Sequence, residues 1–288
     1  MSSGVEISVL RQSRGPKVSA GDLLGVLYSG ALVDGDGATF DANYDFNTFS
    51  VIPSRQLFTF ILGAGQVIQG WDQALAGRRL GEVLDLTIPA ELAYGSAGAP
   101  PSIPPDASLR FRVELVGAVS AGASKAIYPS YRDLGLTKTV VNQLEVLKVQ
   151  FGSSKVATNL NDTLTGSASK DLLIGLGGSD LLQGGAAADV LIGGPGSNRF
   201  VYTDLGDSSP RRGGQDQILG FQRAADLIDF SALADAITYI GKRGFSGDAA
   251  EVRFASGSLQ LDADADGSAN LELLLPGVNR FSGSNLLL

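Results

Sequence analysis

The chain has 288 residues, 22 basic and 30 acidic side chains, a net charge of −8, and neither Cys nor His. That composition excludes disulfides, thiol nucleophiles, Ser-His-Asp triads and zinc sites built from N or S ligands, so any metal must be hard and oxygen-bound, calcium first. The charge and the lack of a Lys/Arg stripe argue against nucleic acid, and no apolar run reaches the length of a membrane span. The amino-terminal MSSGVEISVLRQSRG lacks the apolar region of a signal peptide.

The most informative stretch is FTFILGAGQVIQGW, residues 58–71. Phe58 and Phe60 alternate, which directs both rings to one face of a strand. The strand breaks at Gly63 and Gly65, and a short helix is expected near residues 70–77. It carries the sole tryptophan, Trp71, beside Val67 and Ile68. A buried aromatic pocket with an indole floor follows from that arrangement. Downstream come AYGSAGAPPSIPP and ASLRFRVEL, within residues 93–115.

Together with LYSG around Tyr28 and TFDANYD around Asp41, these motifs resemble the FKBP-type peptidyl-prolyl isomerases over roughly residues 4–117. The resemblance implies an antiparallel sheet wrapped on a short helix and a pocket of Tyr28, Phe40, Asp41, Phe58, Val67, Ile68, Trp71, Tyr94, Ile103 and Phe111. It further implies that the Tyr94 hydroxyl and the Ile68 N–H hold substrate carbonyls, with Asp41 close to the twisted one. No catalytic cofactor is implied. Gln66, Ala99 and Ser102 depart from the family's usual Glu, His and larger apolar residue at the rim. The stretch between Asp41 and Phe58 is also about eight residues longer than in small members, and it carries Tyr44, Phe46 and Phe49.

Residues 118–156 read as a connector. AVSAGASKA is small-residue linker material, and TVVNQLEVLKVQF suits a short helix or a strand. Charge then changes character. Residues 156–288 carry 9 basic and 16 acidic side chains, 14 of the acids Asp, the composition of loops and oxygen-ligand metal sites rather than of helical surfaces.

An internal repeat accounts for it. Residues 157–201 align in nines as ATNLNDTLT, GSASKDLLI, GLGGSDLLQ, GGAAADVLI and GGPGSNRFV. The sixth place holds Asp162, Asp171, Asp180, Asp189 and Asn198; two places on stand Leu164, Leu173, Leu182, Leu191 and Phe200. The pattern resembles the RTX nonapeptide, which implies a right-handed parallel β-roll over 157–202 that binds several structural calcium ions. Thr158, Ser167, Leu176 and Ala187 stand where Gly is usual. Two nonapeptides make one coil, so residues eighteen apart stack at about 4.8 Å. Two carboxylates at that spacing repel by roughly 3 kcal/mol at an effective dielectric near 20, and a divalent cation reverses the sign. With one inward aliphatic per unit the core is thin, and the roll is expected to need metal to fold.

DQILGFQRAADLIDFSAL at 216–233 is similar to the segment after RTX repeats in secreted serralysin-type proteins, so 203–288 reads as a β-rich flank. Asp216, Asp226 and Asp229 are either a further calcium site or turn residues. LDADADGSANLELLL at 261–275 opens like a calcium loop through Asp262, Asp264 and Asp266. Glu272 falls one place early for the twelfth ligand, however, and the flanks read as strands, so a polar hairpin turn is the preferred reading. The chain ends SNLLL, an unmasked apolar carboxy terminus. In the resembled family an uncleaved carboxy-terminal signal feeds a type I exporter.

The expectation is therefore a mainly β, two-domain protein. It would be secreted or held at the cell surface without an amino-terminal signal, and would isomerise X–Pro bonds in peptides or unfolded protein. Two alternatives stand beside it: a calcium-dependent binding or adhesion protein whose pocket recognises Pro-containing ligands without useful turnover, and a self-assembling roll with the isomerase unit as cargo.

Overall fold

A computed structural model describes residues 4–53, 55–147 and 153–288. The chain is mainly β and divides into two compact units, one ending at Leu136 and the other beginning at Thr137. The expected connector 118–156 is shared out between them, and 148–152 lie outside the described residues.

The first unit comprises β1 (Glu6–Arg11), β2 (Leu23–Leu32), β3 (Thr39–Ala42), β4 (Tyr44–Asp45), β5 (Ser50–Val51), β6 (Phe58–Ile61), α1 (Gln69–Leu75), β7 (Val83–Ile88) and β8 (Leu109–Val119). Its sheet runs β1-β7-β8-β2-β3 with β6 also on β2, and every pairing is antiparallel. Period-two alternation builds the core. On β8, Leu109, Phe111, Val113 and Leu115 are buried, while Arg110, Arg112 and Glu114 take the other face. Helix α1 lays Trp71, Ala74 and Leu75 on this apolar face. Gly70 makes that possible, because a Cβ there would come within 2.4 Å of Ile88 Cγ2. Asp72 ties the preceding turn to the helix by accepting the N–H groups of Gly63 and Gly65 at 2.8 and 3.1 Å.

The long stretch between β3 and β6 folds on itself through the β4–β5 hairpin. Tyr44, Phe46 and Phe49 are buried rather than displayed, with the Tyr44 and Phe46 rings 4.9 Å apart and the Arg112 guanidinium 5.8 Å from the Phe46 ring. Asn43 anchors it to β2: Oδ1 accepts the Tyr28 N–H at 2.7 Å, and Nδ2 donates to Val26 O at 3.0 Å. Beyond β8 the chain stays with this unit. Ala118 and Ile127 exchange both backbone bonds, and Arg14 N–H donates to Asp133 O at 2.8 Å.

The second unit opens with α2 (Lys138–Leu147), which buries Val140 and Val141. Then β9 (Ser153–Val156), β11 (Asp171–Ile174), β13 (Val190–Ile192) and β15 (Asp216–Ile218) line up in one parallel array. Intervening β10 (Thr163–Thr165), β12 (Leu181–Gln183), β14 (Arg199–Val201) and β16 (Leu227–Asp229) form a second parallel sheet. The register is eighteen residues at Leu164 against Leu182 and Leu173 against Leu191. It lengthens beyond β14, where Leu191 meets Ile218 and Phe200 meets Ile228. Leu164, Leu173, Leu182, Leu191 and Phe200 are all fully buried. The first sheet continues through β20 (Leu271–Leu274), β19 (Ser258–Asp262), β18 (Glu251–Ala255) and β17 (Thr238–Tyr239). The carboxy-terminal leucines, expected to be unmasked, instead form β21 (Leu286–Leu287) against β16, with Leu286 buried beside Ile228. An open strand edge offers backbone partners to an apolar run and takes it out of water.

Candidate functional site

In the first unit the expected aromatic residues converge on the Trp71 indole. Tyr28, Phe58, Phe60 and Phe111 stand around it with ring centroids 5.5, 6.1, 5.8 and 5.2 Å away. Three of these contacts are edge-on, the arrangement ring quadrupoles favour. Phe40 meets Phe111 edge-on at 5.7 Å. Gly30 lets β2 pass beneath these rings, since a Cβ there would lie 2.5 Å from Phe111 Cε1 and 2.9 Å from Phe40 Cζ. Trp71 is only 3% exposed, and its Nε1 has no hydrogen-bond partner. Ile103 is buried; Val67 and Ile68 are partly buried against the same cluster. Phe58 and Tyr94, at 38% and 42% exposure, form the open side.

The polar part is compact. The Tyr28 hydroxyl donates to Asp41 Oδ2 at 2.6 Å, and Arg55 Nη1 lies 3.5 Å from Asp41 Oδ1. Burial, then the bond to Asp41, pushes the Tyr28 hydroxyl well above the usual phenol range, so it stays a donor at any physiological pH. Ile68 immediately precedes α1 in extended backbone, φ −58 and ψ 146, which leaves its N–H outside the helical hydrogen-bond series. At the rim, Gln66 Oε1 accepts the Ile61 N–H at 2.8 Å, and Ala99 and Ile103 pair through two backbone bonds.

In the second unit the repeat carboxylates stack into two ladders. Along one edge, Asp180 Oδ1 accepts the Asp162 N–H, Asn198 Oδ1 the Asp180 N–H, and Asp226 Oδ1 the Asn198 N–H, at 2.9, 3.1 and 3.0 Å. Along the other, Asp171 Oδ1 accepts from Ser153, Asp189 Oδ1 from Asp171, and Asp216 Oδ1 from Asp189, at 3.1, 2.8 and 2.8 Å. The second carboxylate oxygens of Asp180, Asp189 and Asp216 are buried and have no partner. Tyr202, fully buried near Asp216, likewise has a hydroxyl without a partner of hydrogen-bond geometry. Burial pushes Asp180 and Asp189 up to about 7 and Asp216 up to about 8. A divalent cation fits this donor set: buried, oxygen-only, anionic when ionised, and short of positive partners.

The remaining candidates are placed differently. Asp226 is fully bonded, its Oδ2 accepting the Gln222 N–H at 2.7 Å. Asp229 pairs with Arg199 and accepts the Ser231 N–H. Asp262 ends β19, and Asp264 and Asp266 lie in the turn that leads to β20, with one oxygen of each of the three within 4.8 Å of the others. Asp262 there accepts the Asp266 and Gly267 N–H groups at 3.3 and 2.9 Å. Glu272 is turned to Ser258, Gln260 and Gln215 instead.

A sequence profile described as the FKBP-type peptidyl-prolyl cis-trans isomerase matches residues 15–116. Peptidyl-prolyl cis-trans isomerase FPR2 of Saccharomyces cerevisiae is 44% identical over 105 residues, which cover 36% of this chain and 71% of that one. The chain belongs to the FKBP-type peptidyl-prolyl cis-trans isomerase family. Peptidyl-prolyl cis-trans isomerase FKBP2 of Homo sapiens is 48% identical over 100 residues, 35% of this chain and 63% of its own length. FK506-binding protein 4 of Dictyostelium discoideum is 45% identical over 114 residues, 40% of this chain and 28% of its own. The FKBP-like match thus spans less than two thirds of both these relatives. A second profile, the Peptidase M10 serralysin C terminal, matches residues 158–280.

Within the FKBP-type unit, sequence reasoning passed over Asn43, Gly30 and Arg55. Asn43 sits inside the quoted TFDANYD motif, yet its role depends on β2 lying alongside. In the second unit it missed the Asp189–Asp216 step, because a 27-residue interval breaks the eighteen-residue rule.

Proposed function

We propose that the unit ending at Leu136 isomerises X–Pro bonds in peptides or unfolded protein, and that the following unit is a calcium-folded β-roll with a β-rich flank in an exported protein. The observation that carries the first reading is the cluster of aromatics around Trp71, with Phe58 and Tyr94 exposed on its open side and the Tyr28–Asp41 pair at its edge. Amide resonance sets a rotation barrier of roughly 18–20 kcal/mol. A twisted amide is less polar than a planar one, so a dry aromatic site favours the twisted form. Lowering the barrier by about 5–7 kcal/mol gives roughly four to five decades in rate. In this reading Phe58, Trp71 and Phe111 exclude water around the proline ring. The Tyr94 hydroxyl and the Ile68 N–H hold flanking carbonyls, and Tyr28 keeps Asp41 oriented toward the rotating one. No step needs a cofactor.

The unpartnered oxygens of Asp180, Asp189 and Asp216 support the calcium reading; the bound ion would supply charge neutralisation between coils. Likeness to the serralysin carboxy-terminal region supports export through a type I system, to the medium or the cell surface. No helix among the described residues is long and apolar enough to cross a membrane.

The test is isomerisation of an X–Pro peptide panel by the full chain, in excess calcium and again in chelator. Expected are fast turnover and a loss of about tenfold or more in kcat/KM for Phe58→Ala and for Tyr94→Phe. Absent turnover with retained binding of Pro peptides would move the function to recognition.

A further inference from the structure

The two ladders treat their carboxylates unequally, and the difference lies four residues before each Asp. Before Asp162 stands Thr158, whose N–H and hydroxyl both donate to Asp162 Oδ2, at 2.9 and 2.7 Å. Before Asp171 stands Ser167, which does the same to Asp171 Oδ2 at 2.5 and 2.8 Å. Before Asp180 and Asp189 stand Leu176 and Gly185. Both take left-handed backbone, φ 71 and φ 88, and neither carries a hydroxyl. The Oδ2 atoms they leave behind have no partner, although Asp180 and Asp189 are only 2% and 0% exposed. These oxygens sit against the bare glycines of the turns: a Cβ on Gly175 would be 2.3 Å from Asp180 Oδ2, and one on Gly184 would be 2.4 Å from Asp189 Oδ2.

We propose that the Thr158 and Ser167 hydroxyls take the place of the cation in the first two turns, so that calcium is confined to Asp180 and to the Asp189–Asp216 step. This rests on the calcium reading above and refines it. A cation entering beside Asp162 or Asp171 has to displace two short donors to one carboxylate oxygen, whereas beside Asp189 Oδ2 it displaces none. The two edges also differ. Asp180 lies between hydroxyl-filled Asp162 and neutral Asn198, whose Nδ2 donates to Gly194 O at 2.9 Å. Asp189 and Asp216 are successive rungs, and each offers a buried unpartnered oxygen. The Asp189–Asp216 step is therefore the tighter site. The amino-terminal turns form a metal-independent start on which the calcium-bound coils stack.

The test is a calorimetric calcium titration of the full chain, read as stoichiometry and affinity and independent of isomerase activity. Asp189→Asn is expected to lose one calcium or to weaken binding at least tenfold. Asp162→Asn and Asp171→Asn are expected to leave stoichiometry unchanged. The Thr158→Gly/Ser167→Gly double variant is expected to bind additional calcium. Should that variant fail to fold, Ser167→Ala, which retains the carboxylate and the N–H, is expected to bind more calcium or bind it more tightly. Equal losses at Asp162, Asp171 and Asp189, or no gain on removing the hydroxyls, would overturn the proposal while leaving the calcium reading standing. No calcium binding by the unmodified chain would remove both.

Discussion

Tyr28 combines two duties in one side chain: its ring stands edge-on to Trp71, and its hydroxyl donates to Asp41. Tyr28→Phe separates them, because the ring remains and only the donor goes. The expected result is a fall in kcat/KM of about tenfold with a stability change of about 1 kcal/mol, read from peptide kinetics and thermal melts; an unchanged rate would leave Asp41 orientation out of the chemistry. The buried carboxylates give a second prediction at this scale. Asp180, Asp189 and Asp216 are raised by burial to about 7, 7 and 8, against about 3.9 in an unfolded chain. The folded, metal-free unit therefore holds more protons than the unfolded one between those limits. Its stability is greatest at the acid end of that window and falls as pH rises through 7 to 8. In chelator, the melting temperature of this unit is expected to drop between about pH 5 and pH 8; saturating calcium, which favours the ionised forms, is expected to remove the trend. A flat profile in chelator would contradict the burial of these groups.

The elements are held in contrasting ways. In the first unit, eleven-residue β8 pairs with β2 along its length and with β7 on the other side, and large side chains fill one face. In the second, the strands are three or four residues long: β10 and β12 bring one central leucine to the interior, whereas β11 and β13 bury every residue. Each lone leucine therefore carries a large share of the packing on its own sheet. Leu182, fully buried on β12 between Leu164 and Phe200, is a direct probe. Leu182→Ala is expected to destabilise the second unit by about 2–5 kcal/mol in calcium. Gln183→Ala beside it, half-buried, should cost less than about 1 kcal/mol. Equal effects in denaturant unfolding would refute the inward alternation. The hairpin between β3 and β6 shows a different case: the sequence marked this longer stretch by its aromatics without saying which way they face, and Tyr44, Phe46 and Phe49 turn inward. Those rings gain more by packing on one another and on Arg112 than by facing water.

On the scale of the molecule, each unit has its own apolar core, and among the described residues the buried carboxylate oxygens without a partner all belong to the second. Two thermal transitions are expected. Calcium at about a hundred times its dissociation constant would add close to 3 kcal/mol per site to the second alone, and chelator would leave isomerase turnover unchanged. A single transition that moves as a whole with calcium, in calorimetry of the full chain, would show the two units to be coupled.

Local pattern was enough for much of this. Alternating Phe58 and Phe60, the glycine break before Trp71, and the ordered motifs around Tyr28, Asp41 and Tyr94 made the aromatic site legible. The nine-residue phase of Asp and Leu made the stacked strands legible, because period and side-chain direction are short-range properties of the backbone. Tertiary structure decided what depends on residues distant in sequence. It set which way the long hairpin's rings turn, and joined Asp189 to Asp216 across an irregular interval. It placed the terminal leucines on the edge of β16. It also separated carboxylates capped by a hydroxyl from those left bare, although both kinds occupy the same place in the repeat. A repeat fixes position along the coil; the partner of a buried oxygen depends on the backbone conformation of the turn four residues earlier and on the coil stacked against it.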